Sequence, residues 1–142
     1  MSDAITQPLS PERSIYLRQS AFQALQVLEQ FSGSAVEYGA TALQLLDEWI
    51  DRIERRGPLS ETERMLAIAC LGQTFIHRHG GYWATRAQAQ RQSLGVVCPV
   101  PGGGEEVRFI NVVEQVNLRL SQGISSSLTF FYLTTSVDLG LS

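Results

Sequence analysis

Residues 60–85, SETERMLAIACLGQTFIHRHGGYWAT, hold a helix, its stop and the entry to a sheet in one run. Ser60 and Glu63 form an S-x-x-E capping box at the start. Met65, Ile68, Ala69, Phe75 and Ile76 follow at helical spacing. Gly80-Gly81 then closes the helix, because glycine takes the left-handed C-cap conformation without a Cβ clash. Directly after it, Tyr82-Trp83-Ala84-Thr85 has the aromatic and β-branched character of a strand. Gly72 is out of place inside this helix, where glycine costs about 1 kcal/mol relative to alanine. Close packing over the missing side chain would offset that cost. Trp83, turned back by the double glycine, is the candidate neighbour, with Gln73 as a polar group beside its indole.

Toward the N-terminus, Ser34 to Arg56 carries Val36, Leu43, Leu46, Ile50 and Ile53 at helical spacing, and Gly57-Pro58 ends the run. This pattern places Asp47, Glu48, Asp51 and Arg52 toward solvent. Before it, Ser10-Pro11-Glu12 is a helix start, with serine as N-cap and proline at the first helical position. Ile15, Ala21, Phe22, Leu25 and Leu28 form the apolar set of that first helix, which Ser32-Gly33 breaks. Residues 1–9 are polar and without periodicity, and are expected to be a flexible tail on a single domain over 10–142.

Toward the C-terminus, Leu94 to Val100 and Val107 to Ile110 have strand composition, separated by the turn sequence Pro101-Gly102-Gly103-Gly104. Ala87 to Ser93 fits either a loop or an extension of the strands. Helical spacing returns over Val112 to Leu120, Gly123 interrupts it, and Ser125 to Thr134 forms a last helix with Phe130, Phe131 and Leu133. The pattern predicts an α+β fold: three N-terminal helices, a small antiparallel sheet of about three strands and two short C-terminal helices. Segregated runs of this kind argue against a parallel nucleotide-binding sheet.

The chain of 142 residues, 44% hydrophobic and 18% charged, has the balance of one globular domain. Its net charge is -3, and the 11 basic residues, all arginine, are scattered singly or in pairs such as Arg55-Arg56. Nothing in that distribution is built to neutralise a run of phosphates, so no nucleic-acid partner is expected. The absence of lysine excludes Schiff-base chemistry and a Walker-type phosphate lysine within the chain. Two cysteines, Cys70 and Cys98, do not make a disulfide framework and are expected as reduced core residues. Neither a signal peptide nor a bilayer-spanning run is visible, which predicts a cytoplasmic protein without a membrane partner.

Sites of chemistry are sparse. His77 and His79 stand two apart on a helix and so face different ways, unlike the spacing of four found in helical zinc sites; with Arg78 they suit a helix C-terminus. Pro101 to Gly104 lacks the following helix N-terminus that a phosphate cradle needs, and Glu105-Glu106 would repel phosphate. Ser125-Ser126-Ser127 has no nucleophile elbow and reads as helix capping. Asp47, Glu48, Asp51 and Glu54 interleave with Arg52 and Arg55, the mixture of a solvated helix face. No catalytic residue, metal site or cofactor follows from the sequence.

Leu71-Gly72-Gln73, Gly80-Gly81-Tyr82-Trp83 and Phe109 to Val113, followed by Arg119-Leu120, Gly123, Ser127-Leu128 and Phe131-Tyr132, resemble a pattern of small uncharacterised bacterial domains. Those have a Leu-Gly-Glu helix step, a Gly-Gly-x-Trp exit into strands, and C-terminal helices with Arg-Leu and Phe-Tyr. The resemblance covers about the second half of the chain and implies no activity. Gln73 stands where the pattern has glutamate, against a carboxylate function there.

Together these readings predict a non-catalytic bacterial module that binds another protein, as an immunity or regulatory partner, with self-association left open. The alternative is a small-molecule binder or enzyme with a pocket between the third helix and the sheet, lined by Gln73, His77, Tyr82, Trp83 and Arg119.

Overall fold

A computed structural model describes residues 4–140. Among them the elements run β1 (Ile5–Pro8), α1 (Pro11–Ser32), α2 (Ala40–Glu54), α3 (Glu61–His79), β2 (Tyr82–Gln88), β3 (Arg91–Pro99), β4 (Val107–Ile110), α4 (Val112–Gln122), a 3-10 turn (Gly123–Ser126) and α5 (Leu128–Asp138). The class is α+β, as the segregated pattern requires. The sheet is antiparallel throughout, with strand order β1-β2-β3-β4.

The caps act where serine and glycine were placed. Ser10 Oγ accepts from Arg13 N–H at 3.3 Å. Ser60 Oγ accepts from Glu63 N–H at 3.1 Å while Glu63 Oε1 accepts from Ser60 N–H at 2.8 Å, satisfying two otherwise unpaired donors reciprocally. Gly80 donates back to Ile76 O and ends α3, at φ 79° and ψ -179°, a positive-φ extended conformation open to glycine and not the left-handed helical one expected.

Four expectations need correction. The sheet has a fourth strand, Ile5–Pro8, in the segment read as a tail. All four of its side chains are exposed, so no hydrophobic alternation marks it; it is held by backbone pairing with β2, Thr6 opposite Arg86 and Pro8 opposite Ala84. As an edge strand it tolerates a proline that a central strand would not. Second, α2 begins at Ala40 and not near Ser34. Glu29 of α1 accepts Val36 N–H at 3.0 Å, which draws residues before Gly39 into a loop while Val36 itself stays buried. Third, Ile15 and Phe22 are 44% and 59% exposed, and α1 buries Leu17, Ala21, Ala24, Leu25 and Leu28. The small residues Ala21 and Ala24 let α1 lie close to α3, and that rotates the larger pair outward. Fourth, the last helix starts at Leu128, because Gly123–Ser126 make a 3-10 turn and Ser127 is the N-cap, its Oγ accepting from Phe130 N–H at 2.9 Å.

The ambiguous stretch from Ala87 to Ser93 is a hairpin, with β2 running to Gln88 and β3 resuming at Arg91. Trp83, Val96 and Ile110 lie side by side in register and join the core with Cys98, Ile68, Leu71 and Phe75. The alternation of strand side chains puts Tyr82, Arg86 and Phe109 on the other face.

Candidate functional site

The helix–sheet junction is where α3 meets β2. Trp83 is 2% exposed and its six-membered ring occupies the space a side chain at position 72 would take. The indole Nε1–H donates to Gln73 Oε1 at 3.2 Å. Gly72, Gln73 and Trp83 thus form one contact, as the sequence predicts, and the indole fills the place where a pocket was expected. The other candidates do not join them. Tyr82 is exposed on the opposite face of the sheet. His77 turns outward and tilts against Tyr38, ring centroids 5.7 Å apart.

Arg119 lies elsewhere and is fully buried. Its Nε donates to Asp47 Oδ1 at 2.8 Å, and its Nη2 donates to Asp51 Oδ1 at 2.7 Å and to the backbone oxygen of Asp47 at 3.0 Å. Glu54 stands 3.7 Å away. Asp47, only 4% exposed, also accepts from Leu128 N–H at 3.1 Å, Thr129 N–H at 3.1 Å and Thr129 Oγ1 at 2.9 Å. This corrects the solvated-face reading for Asp47 and in part for Asp51, while Glu48 and Arg52 face solvent as expected. Asp47 is a charge-assisted cap on α5, held by a guanidinium from α4. With both Asp47 oxygens so occupied, the cluster fastens α2, α4 and α5 together.

The remaining reactive groups are quiet. Burial pushes the Cys70 and Cys98 thiols up to about 12, so neither is a thiolate at neutral pH. Tyr38 is likewise raised to about 12, by burial and then by Cys70. His79 is held below the usual imidazole range, first by burial and then by Arg78; its Nε2 lies 2.9 Å from Ser136 Oγ and its ring stacks on Phe75. No group of three His, Cys, Asp or Glu side chains suited to a metal ion occurs among the described residues. No helix among them is long and apolar enough to cross a membrane.

What the surface does offer is the outer side of α5. Leu128 and Tyr132 of α5 and Leu139 just after it pack inward, yet Phe130, Leu133 and Val137 are 67%, 48% and 63% exposed. Positions 130, 133 and 137 follow at three, four and seven, which makes them one row. Beside the row lies an open cleft of about 730 Å³ between α5, the end of α3 and the loop before α2, walled by Tyr38, Ala40, His77, Arg78, Leu133 and Val137. Of the five sequence candidates, only His77 borders this cleft. Phe130 and Leu133 were placed in the last helix without a direction; a helix apolar on every side was the available sign of a second contact.

Comparison with protein-family models, curated proteins and solved structures gave no match.

Proposed function

We propose that this chain is a non-catalytic bacterial protein-interaction module, an immunity or regulatory partner, that docks through the outer row of α5. The observation that carries this reading is the exposure of Phe130, Leu133 and Val137 on a helix whose opposite side is already buried in the core. Apolar surface on both sides of an outer helix favours a second packing partner over solvent. Arg78 sits at the rim and has no carboxylate within 4.0 Å among the described residues. The partner that fits sets apolar side chains against the row and a carboxylate opposite Arg78.

Photo-crosslinking from position 133, with position 105 on the β3–β4 turn as control, tests this in the native lysate. The expected result is one dominant adduct with a different protein from position 133, absent from position 105 and lost when Phe130→Asp is added. Matching adducts at both positions, an adduct that survives Phe130→Asp, or only a dimer of this chain would overturn it.

A further inference from the structure

A second cleft, of about 550 Å³, opens on the sheet face turned away from the core, beside the start of α4, where β4 has ended and β3 continues paired with β2 alone. Its walls include Arg86, Arg91, Ser93, Phe109, Asn111 and Glu114. Sheet register puts Arg86 opposite Ser93 and Gln88 opposite Arg91, so the two arginines are diagonal neighbours on one face. Side chains so related lie within about 8 Å at their roots, near enough to share one ligand.

Neither guanidinium has a carboxylate within 4.0 Å among the described residues. Arg86 is held in place rather than free in solvent: its guanidinium lies 5.7 Å from the centre of the Phe109 ring, and its Nε is sealed from water with no acceptor. Phe109 in turn is seated over Gly95, where a Cβ would collide with the ring and with the Ile110 backbone. The chain thus fixes one cation on an aromatic ring, sets a second beside it and supplies neither with a counter-charge. Two like charges diagonal on a sheet are unfavourable alone, and a bound anion reverses the sign of that interaction. The cleft's one acid, Glu114, is turned to its own helix cap, accepting from Asn111 Nδ2 at 2.9 Å.

From this placement we infer that the cleft binds a small molecule through a carboxylate or phosphate group, gripped by Arg86 and Arg91, with Ser93 adding a hydroxyl and Phe109 an apolar wall. The site is separate from α5 and does not rest on the docking proposal.

The test is an NMR titration of 15N-labelled protein with sodium benzoate and, separately, phenyl phosphate, sodium chloride holding ionic strength constant. Saturable shifts of the Arg86 Nε–H and Ser93 amide signals with either probe are expected, and which probe saturates identifies the anionic group. Arg91→Gln should weaken binding by about tenfold or more, the loss of one charge-assisted contact. The thermal midpoint should not change, because Arg91 is exposed. Glu114→Gln should tighten it. Shifts that grow linearly, shifts reproduced by chloride, or an Arg91→Gln variant that binds like wild type would overturn the assignment.

Discussion

Two buried contacts hold this domain together by opposite means. At the helix–sheet junction an indole lies on a glycine, and its single polar atom is met by Gln73 ten residues away. At the α2–α4–α5 cluster a guanidinium and a carboxylate, 72 residues apart in the chain, are both withdrawn from water. The first gains from removing a large apolar surface from solvent and involves no charge. The second must offset the desolvation of two ions, and does so by giving Asp47 hydrogen bonds from Arg119 and from the start of α5. An apolar contact degrades by the volume removed, whereas a buried ion pair fails when either partner is left bare.

The largest effect is therefore expected at the ionic cluster. Arg119→Met should cost roughly 4 kcal/mol in chemical denaturation, since it strands Asp47 at the core while keeping much of the side-chain volume. A loss below about 1 kcal/mol would show that Asp47 is satisfied by the α5 backbone alone.

At the junction, Trp83→Ala should cost about 3 kcal/mol by loss of burial and a residual cavity. Its loss should be insensitive to added salt. A Trp83→Ala variant that unfolds at the wild-type denaturant midpoint would remove the indole from the core and return Trp83 to the surface candidates.

Gly72→Ala is expected to lose roughly 2 kcal/mol, because the new methyl group meets the indole. In the Trp83→Ala background the same change should turn favourable by up to about 1 kcal/mol, as the helix preference for alanine is no longer opposed. Additive losses would break the reading of these residues as one contact.

The smallest effect concerns a third junction, where His79 of α3 meets Phe75, Tyr132 and Ser136. Burial lowers its affinity for a proton below that of the unfolded chain, so the unfolded state binds more protons as pH falls. Its contribution is full above the unfolded imidazole pKa and is lost progressively as pH drops through and below it. His79→Asn should flatten the stability profile between about pH 7 and 5, and an unchanged slope would assign the pH dependence to other groups.

The contrast also explains what could be read in advance. Gly72, Gln73 and Trp83 are close in sequence, and a helix stop between them leaves few ways for the ring to go, so their contact was legible. The capping box, the Gly80 stop and the α+β order were legible for the same reason: each depends on neighbours a few residues away. Helix one was legible in extent but not in direction. Ile15 and Phe22 fit the same periodicity as Ala21, Leu25 and Leu28, and only the packing of α1 on α3 turned that pair outward and took Leu17 and Ala24 inside.

The edge strand Ile5–Pro8 left no trace in side-chain pattern, because its stabilisation is carried by backbone hydrogen bonds to β2. Asp47 in the acidic run of α2 was misread for a different reason. Charge alternating with arginine on a helix is ordinary at a surface, and only the arrival of α4 and α5 brings Arg119 and two backbone N–H groups onto Asp47. Local sequence thus determined the order of helices and strands and the stops that carry a cap or a double glycine, as at Ser10, Ser60 and Gly80, since capping, glycine conformations and strand composition act over a few residues. Tertiary structure alone decided which charges went inside and which apolar row of α5 stayed out, because each requires partners that meet only when distant segments pack.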